Sequence, residues 1–201
     1  MEDKRITKTK RSLKSALITM LGKEPFEEIS ITELCRIAEV SRITFYSHYS
    51  DKYALVDDIF NDMLAEGTAD YRRRQQENNS QNSLSAGYVN MQDAILDLYY
   101  DRFDFFRHTD PQRNPYLAVR FYSIILDTVE EHTKGVRHRL RLKYSPKRIA
   151  GFLCFGMLGF INESHVEKVP LEQIKKEART LLKDMLTAEF LTETGEDEWG
   201  G

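Results

Sequence analysis

The sequence predicts an all-α protein: a three-helix helix-turn-helix domain at the N-terminus, then a larger helical bundle. Three observations carry this. Apolar residues recur at helical spacing, with no sustained period-two alternation. The 5 prolines and 10 glycines stand at intervals, as stops and starts between periodic runs. Serines and an aspartate sit where helix caps belong, just ahead of those runs.

Taken in order, the first helix is expected from about Thr7 to Leu21, with Leu13, Ala16, Leu17, Met20 and Leu21 on one stripe and Gly22 ending it. The loop KEPFEEI returns Phe26 and Ile29 to the core. Ser30 and Glu33 have capping-box spacing, and Leu34, Ile37 and Ala38 form the inner face of a short second helix. Ser41 can cap a third, equally short helix, and Ser50 or Asp51 a long one that runs towards Arg72. The polar stretch QQENNSQNSLSAG at 75–87 reads as a loop. An aromatic-rich helix is expected from about Val89 to Arg107, one or two more between Pro115 and Leu142, and two last ones that each start at or near a proline. The expected division is 1–53 for the helix-turn-helix domain, 54–191 for the helical body and 192–201 for an acidic flexible tail.

Composition bounds the function. A hydrophobic fraction of 41% and a charged fraction of 30% are ordinary for a globular chain of 201 residues. The longest apolar run, IAGFLCFGMLGFI at 149–161, is shorter than the roughly 18 residues of a membrane span. The charged start from Glu2 to Lys4 has no apolar signal region, so a cytoplasmic protein without a membrane partner is expected. Cys35 and Cys154 lie inside apolar patterns and read as buried thiols. No GK[ST] phosphate loop, HExxH or CxxC occurs, and the histidines lack metal-ligand spacing. Catalysis is therefore the least supported class, and no metal or cofactor is expected.

The net charge of −3 conceals a local asymmetry. Lys4, Arg5, Lys8, Lys10, Arg11 and Lys14 cluster without an acid among them, and the acidic tail offsets them at the other end. Placed at 100° per residue, Phe45 and Tyr49 fall on an inner stripe of the third helix, while Ile43, Thr44, Tyr46 and Ser47 point away. Two short helices joined by a tight connection, the second with a polar outer face, form the motif whose second helix enters the DNA major groove. Arg42 can bond guanine O6 and N7, and Ile43 or Thr44 can meet a thymine methyl. Tyr46, His48 and Lys52 can reach phosphate oxygens, and the arm bearing Lys4, Arg5 and Lys8 can follow the backbone. The same capped pair also occurs as plain packing, which leaves open a helical adaptor whose motif contacts only protein.

The string ITELCRIAEVSRITFYSHYSDKYAL, Ile31 to Leu55, resembles the DNA-binding domain of TetR/AcrR transcriptional regulators. Thr32, Ile37 and Ala38, Val40 and Ser41, Thr44 to Tyr46, His48 and Tyr49, Lys52 and Leu55 occupy the pattern's positions. Glu39 replaces the usual turn glycine, and Ile43 the usual small residue or proline. The resemblance implies a sequence-specific regulator, a repressor by expectation, that binds a palindromic operator as a homodimer. It adds Thr32 and Ser41 to the expected DNA-facing set, which already holds Ser47 from the outward face. It also implies that the last two helices pair with their copies in a second subunit, through Gly151, Phe155, Leu158, Ile174, Ala178, Leu181 and Met185. It implies control by a small molecule or a protein coregulator, with Tyr99, Phe103, Phe106, Tyr116, Phe121 and Tyr122 as candidate pocket residues. Aromatics at this spacing also read as plain core.

Overall fold

The structure, a computed structural model, describes residues 4–136, 140–142, 144–187 and 191–193. These fall into two compact units: Met1–Gly67 with Leu98–Phe121, and Thr68–Asp97 with Tyr122–Gly201.

The first unit begins with α1 (Lys4–Leu21), a 3-10 turn (Phe26–Glu28), α2 (Ile31–Ile37) and α3 (Arg42–Tyr46). It also takes the first part of α4 (Lys52–Asn78), the end of α5 (Leu84–Asp101), α6 (Phe103–Phe106) and the start of α7 (Pro115–Val136). The expected stripe of α1 is its buried face, from Leu13 to Leu21. Leu34, Phe45, Leu55, Val56, Phe60, Phe105 and Leu117 join it, each at most 2% exposed. Burying a side chain of this size stabilises by about 1.5–3 kcal/mol.

The second unit is built on Tyr88, Met91, Val129, Ile149, Ala150, Leu153, Cys154 and Leu182. These come from α5, α7, α8 (Pro146–Val166) and α9 (Leu171–Thr187). Ser145 caps α8, its Oγ accepting from the N–H of Arg148, ahead of Pro146 at the first position. A ladder of charges fixes α9. Arg179 pairs with Asp93 and Lys175 with Asp97, both at 2.6 Å, while Arg74 of α4 pairs with Asp70 at 2.7 Å and with Asp97. The two acids and the two α9 cations are each spaced by four residues, which puts each pair on one helix face.

Several expectations are corrected here. The polar stretch 75–87 is mostly helical, because α4 continues to Asn78 and α5 begins at Leu84. Side-chain amides make this possible. Asn79 Oδ1 accepts from the N–H of Ser83 at 2.7 Å, and its Nδ2 donates to Gln75 Oε1 at 2.9 Å, so the short turn satisfies itself. The aromatic helix breaks at Arg102, and a single helix follows Pro115. Leu140–Leu142 and Leu191–Glu193 pair as a small antiparallel ribbon, β1 and β2, with Arg141 opposite Thr192. Thr192 and Glu193, expected in the tail, are thus strand residues, and the rest of that tail lies outside the described residues. Finally, α8 has 21 residues and is long and apolar enough to cross a bilayer by length and composition. Its Ile149, Ala150, Leu153, Cys154 and Ile161 are buried in the protein.

Candidate nucleic-acid interface

The local sequence builds α2 and α3 as two capped, very short helices. Ser30 Oγ accepts from the N–H of Glu33 at 3.2 Å, and Ser41 Oγ accepts from the N–H of Thr44 at 3.0 Å. Between them Glu39 adopts φ 55°, the left-handed geometry that a helix C-terminus requires. The N–H of Val40 then returns to the carbonyl of Cys35 at 3.0 Å. A glutamate therefore makes the turn expected of glycine. The hydrogen bond offsets the steric cost of its Cβ, and the side chain itself lies exposed.

This turn orients α3. Phe45 is fully buried and Tyr49 nearly so, each as expected. The Tyr49 hydroxyl donates to Asp58 of α4 at 2.6 Å, and Lys14 of α1 pairs with the same carboxylate at 2.9 Å. Burial alone would raise the Asp58 pKa, but the bonds from Tyr49 and Lys14 outweigh it and hold the carboxyl below its usual range. One buried-side carboxylate thus ties α1, the end of the α3 segment and α4 together.

The opposite face points to solvent. Ile43 is 85% exposed and Tyr46 49%, while Thr32, Ser41, Arg42 and Ser47 are also exposed. The Arg42 guanidinium lies over the Tyr46 ring at 6.0 Å, a cation–π contact that holds both on the outer face. Thr44 is half-buried, its hydroxyl 2.8 Å from that of Ser41, and Ser47 Oγ donates to the Thr44 carbonyl at 2.7 Å. These hydroxyls already serve the helix cap and end. His48 is half-buried, its ring against Tyr49. Lys4, Arg5 and Lys8 are exposed on the first turns of α1.

Lys52 departs from its expected place. Its Nζ donates to three backbone carbonyls, those of Phe26, Glu27 and Ile29, at 2.8, 2.7 and 3.1 Å. An ammonium has three protons, and all three are engaged within the protein. The amide of Ala54 in the first turn of α4 is likewise taken by Asp51 at 2.8 Å. Lys52 braces the turn after α1, and Asp51 caps the first turn of α4.

The aromatic set also divides. Tyr99, Phe103, Phe106 and Phe121 pack on one another, with Tyr99 stacked on Phe106 at 5.3 Å and Phe106 4.7 Å from Phe121. Tyr116 stands apart, stacked on Phe26 and edge-on to Tyr53 at 4.7 Å beneath the helix-turn-helix. Tyr122 belongs to the second unit, 4.3 Å from Phe155. Of the expected dimer residues, Phe155 is 62% exposed, Leu181 is exposed, and Gly151, Leu158 and Met185 are half-buried. Ile174 and Ala178 are 1% and 0% exposed inside the chain, because the charge ladder turns the apolar stripe of α9 onto its own core.

Forty solved chains match this architecture. A TetR-family transcriptional regulator from Syntrophomonas wolfei superposes with a TM-score of 0.72 at 10% identity, over 91% of this chain and 97% of that one. The chain has the TetR fold. A TetR regulator from Streptococcus agalactiae matches with a TM-score of 0.58 at 20% identity, covering 90% and 97%. NalD, the secondary repressor of a multidrug efflux pump in Pseudomonas aeruginosa, matches with a TM-score of 0.63 at 16% identity, covering 94% and 98%. No protein-family model matches the chain, and no curated protein matches it by sequence. In the TetR fold shared with these regulators, α2 and α3 are the helix-turn-helix pair.

The sequence did not display the bracing pair of Lys14 and Asp58. Its trace in the sequence is the four-residue spacing of Asp58 and Asp62, both bonded to Lys14.

Proposed function

We propose that the chain is a sequence-specific DNA-binding transcriptional regulator that reads a palindromic operator as a homodimer. The observation that carries this reading is the outer face of α3. A capped five-residue helix presents Arg42, Ile43 and Tyr46 outwards together, a long guanidinium beside an apolar side chain and a phenol on one short helix. A thymine methyl beside a guanine held by Arg42 fits that face. The exposed Lys4, Arg5 and Lys8 supply the backbone charge that the near-neutral whole chain conceals. Tyr46 and His48 are assigned to phosphates, with Thr32, Ser41, Thr44 and Ser47 around them, and Lys52 is assigned to bracing.

The dimer is assigned to α8, whose Phe152, Phe155, Gly156 and Gly159 lie at helical spacing on one side. Both phenylalanines are 62% exposed, and a Cβ added at either glycine would meet nothing within 4 Å. A second copy of this face would bury both rings and let the two backbones approach closely. Two recognition helices related by a twofold axis then meet half-sites about one helical turn apart. Repression is the mode this reading favours, with the occupied operator excluding other proteins, and an effector would act by shifting the population of DNA-fitting dimers.

The test is selection of genomic DNA fragments by the purified protein across salt concentrations. Recovery of a palindrome with affinity falling steeply in salt is the expected result. Recovery of nothing above background, together with capture of a protein partner through the same α3 face, would favour the adaptor reading.

A further inference from the structure

Several exposed arginines of this chain are held by an acid. Arg36 of α2 donates from Nε and a terminal nitrogen to Glu33 at 2.8 and 2.6 Å. Arg73 of α4 pairs with Asp70 and, at 2.9 Å, with Glu77, and Arg102 spends its fork on Glu66 at 2.6 and 3.3 Å. Arg42 is held differently. Among the described residues its guanidinium is bonded to no carboxylate and no carbonyl, and it lies over the Tyr46 ring, 6.0 Å from the centroid.

The helix makes this contact. Residues 42 and 46 stand four apart on α3, and a helical side chain leans towards the N-terminus, so Tyr46 reaches back to Arg42. The ring is itself fixed from the core side. It stands edge-on to Phe45, at 88° with 5.4 Å between centroids, and Phe45 is 0% exposed. A buried ring therefore seats an exposed ring, and the exposed ring seats a cation.

The kind of restraint decides what Arg42 can still do. A guanidinium carries five N–H donors, and bidentate bonding to guanine O6 and N7 takes two of them. A carboxylate partner, such as Glu33 is to Arg36, claims the same fork and would have to be displaced before a base is read. An aromatic face restrains the cation through its quadrupole and gives its N–H groups no oxygen to bond. It also orders the side chain beforehand, which removes part of the rotamer entropy that an unrestrained arginine loses on binding.

We propose that Tyr46 is a positioning residue for base readout: its ring, seated on Phe45, presents the Arg42 guanidinium with its donors open and so sets the preference at the base that Arg42 meets. This role belongs to the ring and is separate from the phosphate contact assigned to the hydroxyl. It rests on the regulator reading and deepens it.

The test selects bound duplexes from a random-sequence DNA library. It uses the full chain, its Tyr46→Phe, Tyr46→Leu and Arg42→Ala variants, and the double variant that joins Arg42→Ala to Tyr46→Leu. Both positions are exposed, so every variant should keep the parent's helical spectrum. The base position whose guanine preference disappears in Arg42→Ala marks the contact. Tyr46→Leu should lower that preference about two- to fivefold, the factor equivalent to an exposed cation–π contact, and leave the other positions as they are. Tyr46→Phe keeps the ring and should keep the preference, while weakening binding to all sequences by a similar factor. In the Arg42→Ala background Tyr46→Leu should change no preference, because the ring then has nothing to position. The proposal is overturned if no position depends on Arg42, if Tyr46→Leu leaves the preference intact or flattens every position alike, or if Tyr46→Phe lowers it as far as Tyr46→Leu does. Each of these results overturns the proposal alone, whereas a parent that selects no sequence at all overturns the regulator reading and the proposal with it.

Discussion

The backbone N–H of Phe26 donates to Asn114 Oδ1 at 2.7 Å, across 88 residues of sequence, and both residues are buried. The Asn114 amide nitrogen donates in turn to the carbonyl of His108 at 2.8 Å. One side chain therefore fastens the segment between α6 and α7 to the turn that follows α1, inside the unit that holds the helix-turn-helix. Asn114→Ala leaves a buried donor and a buried acceptor unpaired. It should destabilise the protein by about 3 kcal/mol in urea unfolding.

Lys52 and Lys8 should separate cleanly. Lys52→Met deprives three carbonyls of their donor and should lower stability by about 1–2 kcal/mol, with the salt slope of DNA binding unchanged. Lys8→Ala, at an exposed position, should leave stability alone and reduce that slope by about 1. Binding isotherms over a salt series, with unfolding curves, check both.

On the recognition helix, Arg42→Ala should cost about 1–3 kcal/mol on the preferred operator and much less on random DNA. Equal losses on both would make Arg42 a backbone contact. Ile43→Ala, at an 85% exposed position, should leave unfolding unchanged within about 0.5 kcal/mol while weakening operator binding.

The two apolar faces at the C-terminal end predict opposite outcomes for one substitution. Phe155→Asp, on the exposed face of α8, should yield a folded monomer in sedimentation with an unchanged helical spectrum. Ile174→Asp, 1% exposed, places a charge in the core and should abolish folding.

His132 makes stability depend on pH. Desolvation puts its folded pKa below the reference 6.5, so the unfolded chain binds the proton more readily. Its contribution is complete above about pH 6.5 and is lost as pH falls from there towards the folded value, by at most about 1.4 kcal/mol per pH unit. His132→Phe should remove that part of the slope, read as the difference between the two unfolding profiles below pH 6.5.

What the sequence determined by itself is local. The caps at Ser30 and Ser41, the inward Phe45 and Tyr49 and the outward Ile43 follow from spacing within a few residues, and the structure has each of them. Caps and short helix faces are set by backbone groups three or four positions away, which a linear string displays. Tertiary structure decided whatever depends on a distant partner. The charge of Lys52 went to carbonyls more than twenty residues back rather than to solvent. The stripe of α9 turned inwards because Asp93 and Asp97 caught Arg179 and Lys175. The amides of 75–90 became an ordered chain ending at His132, where the sequence displayed only a polar loop. Polar side chains with several donors or acceptors can serve solvent, a partner or the fold, and only the placement of their neighbours selects among these.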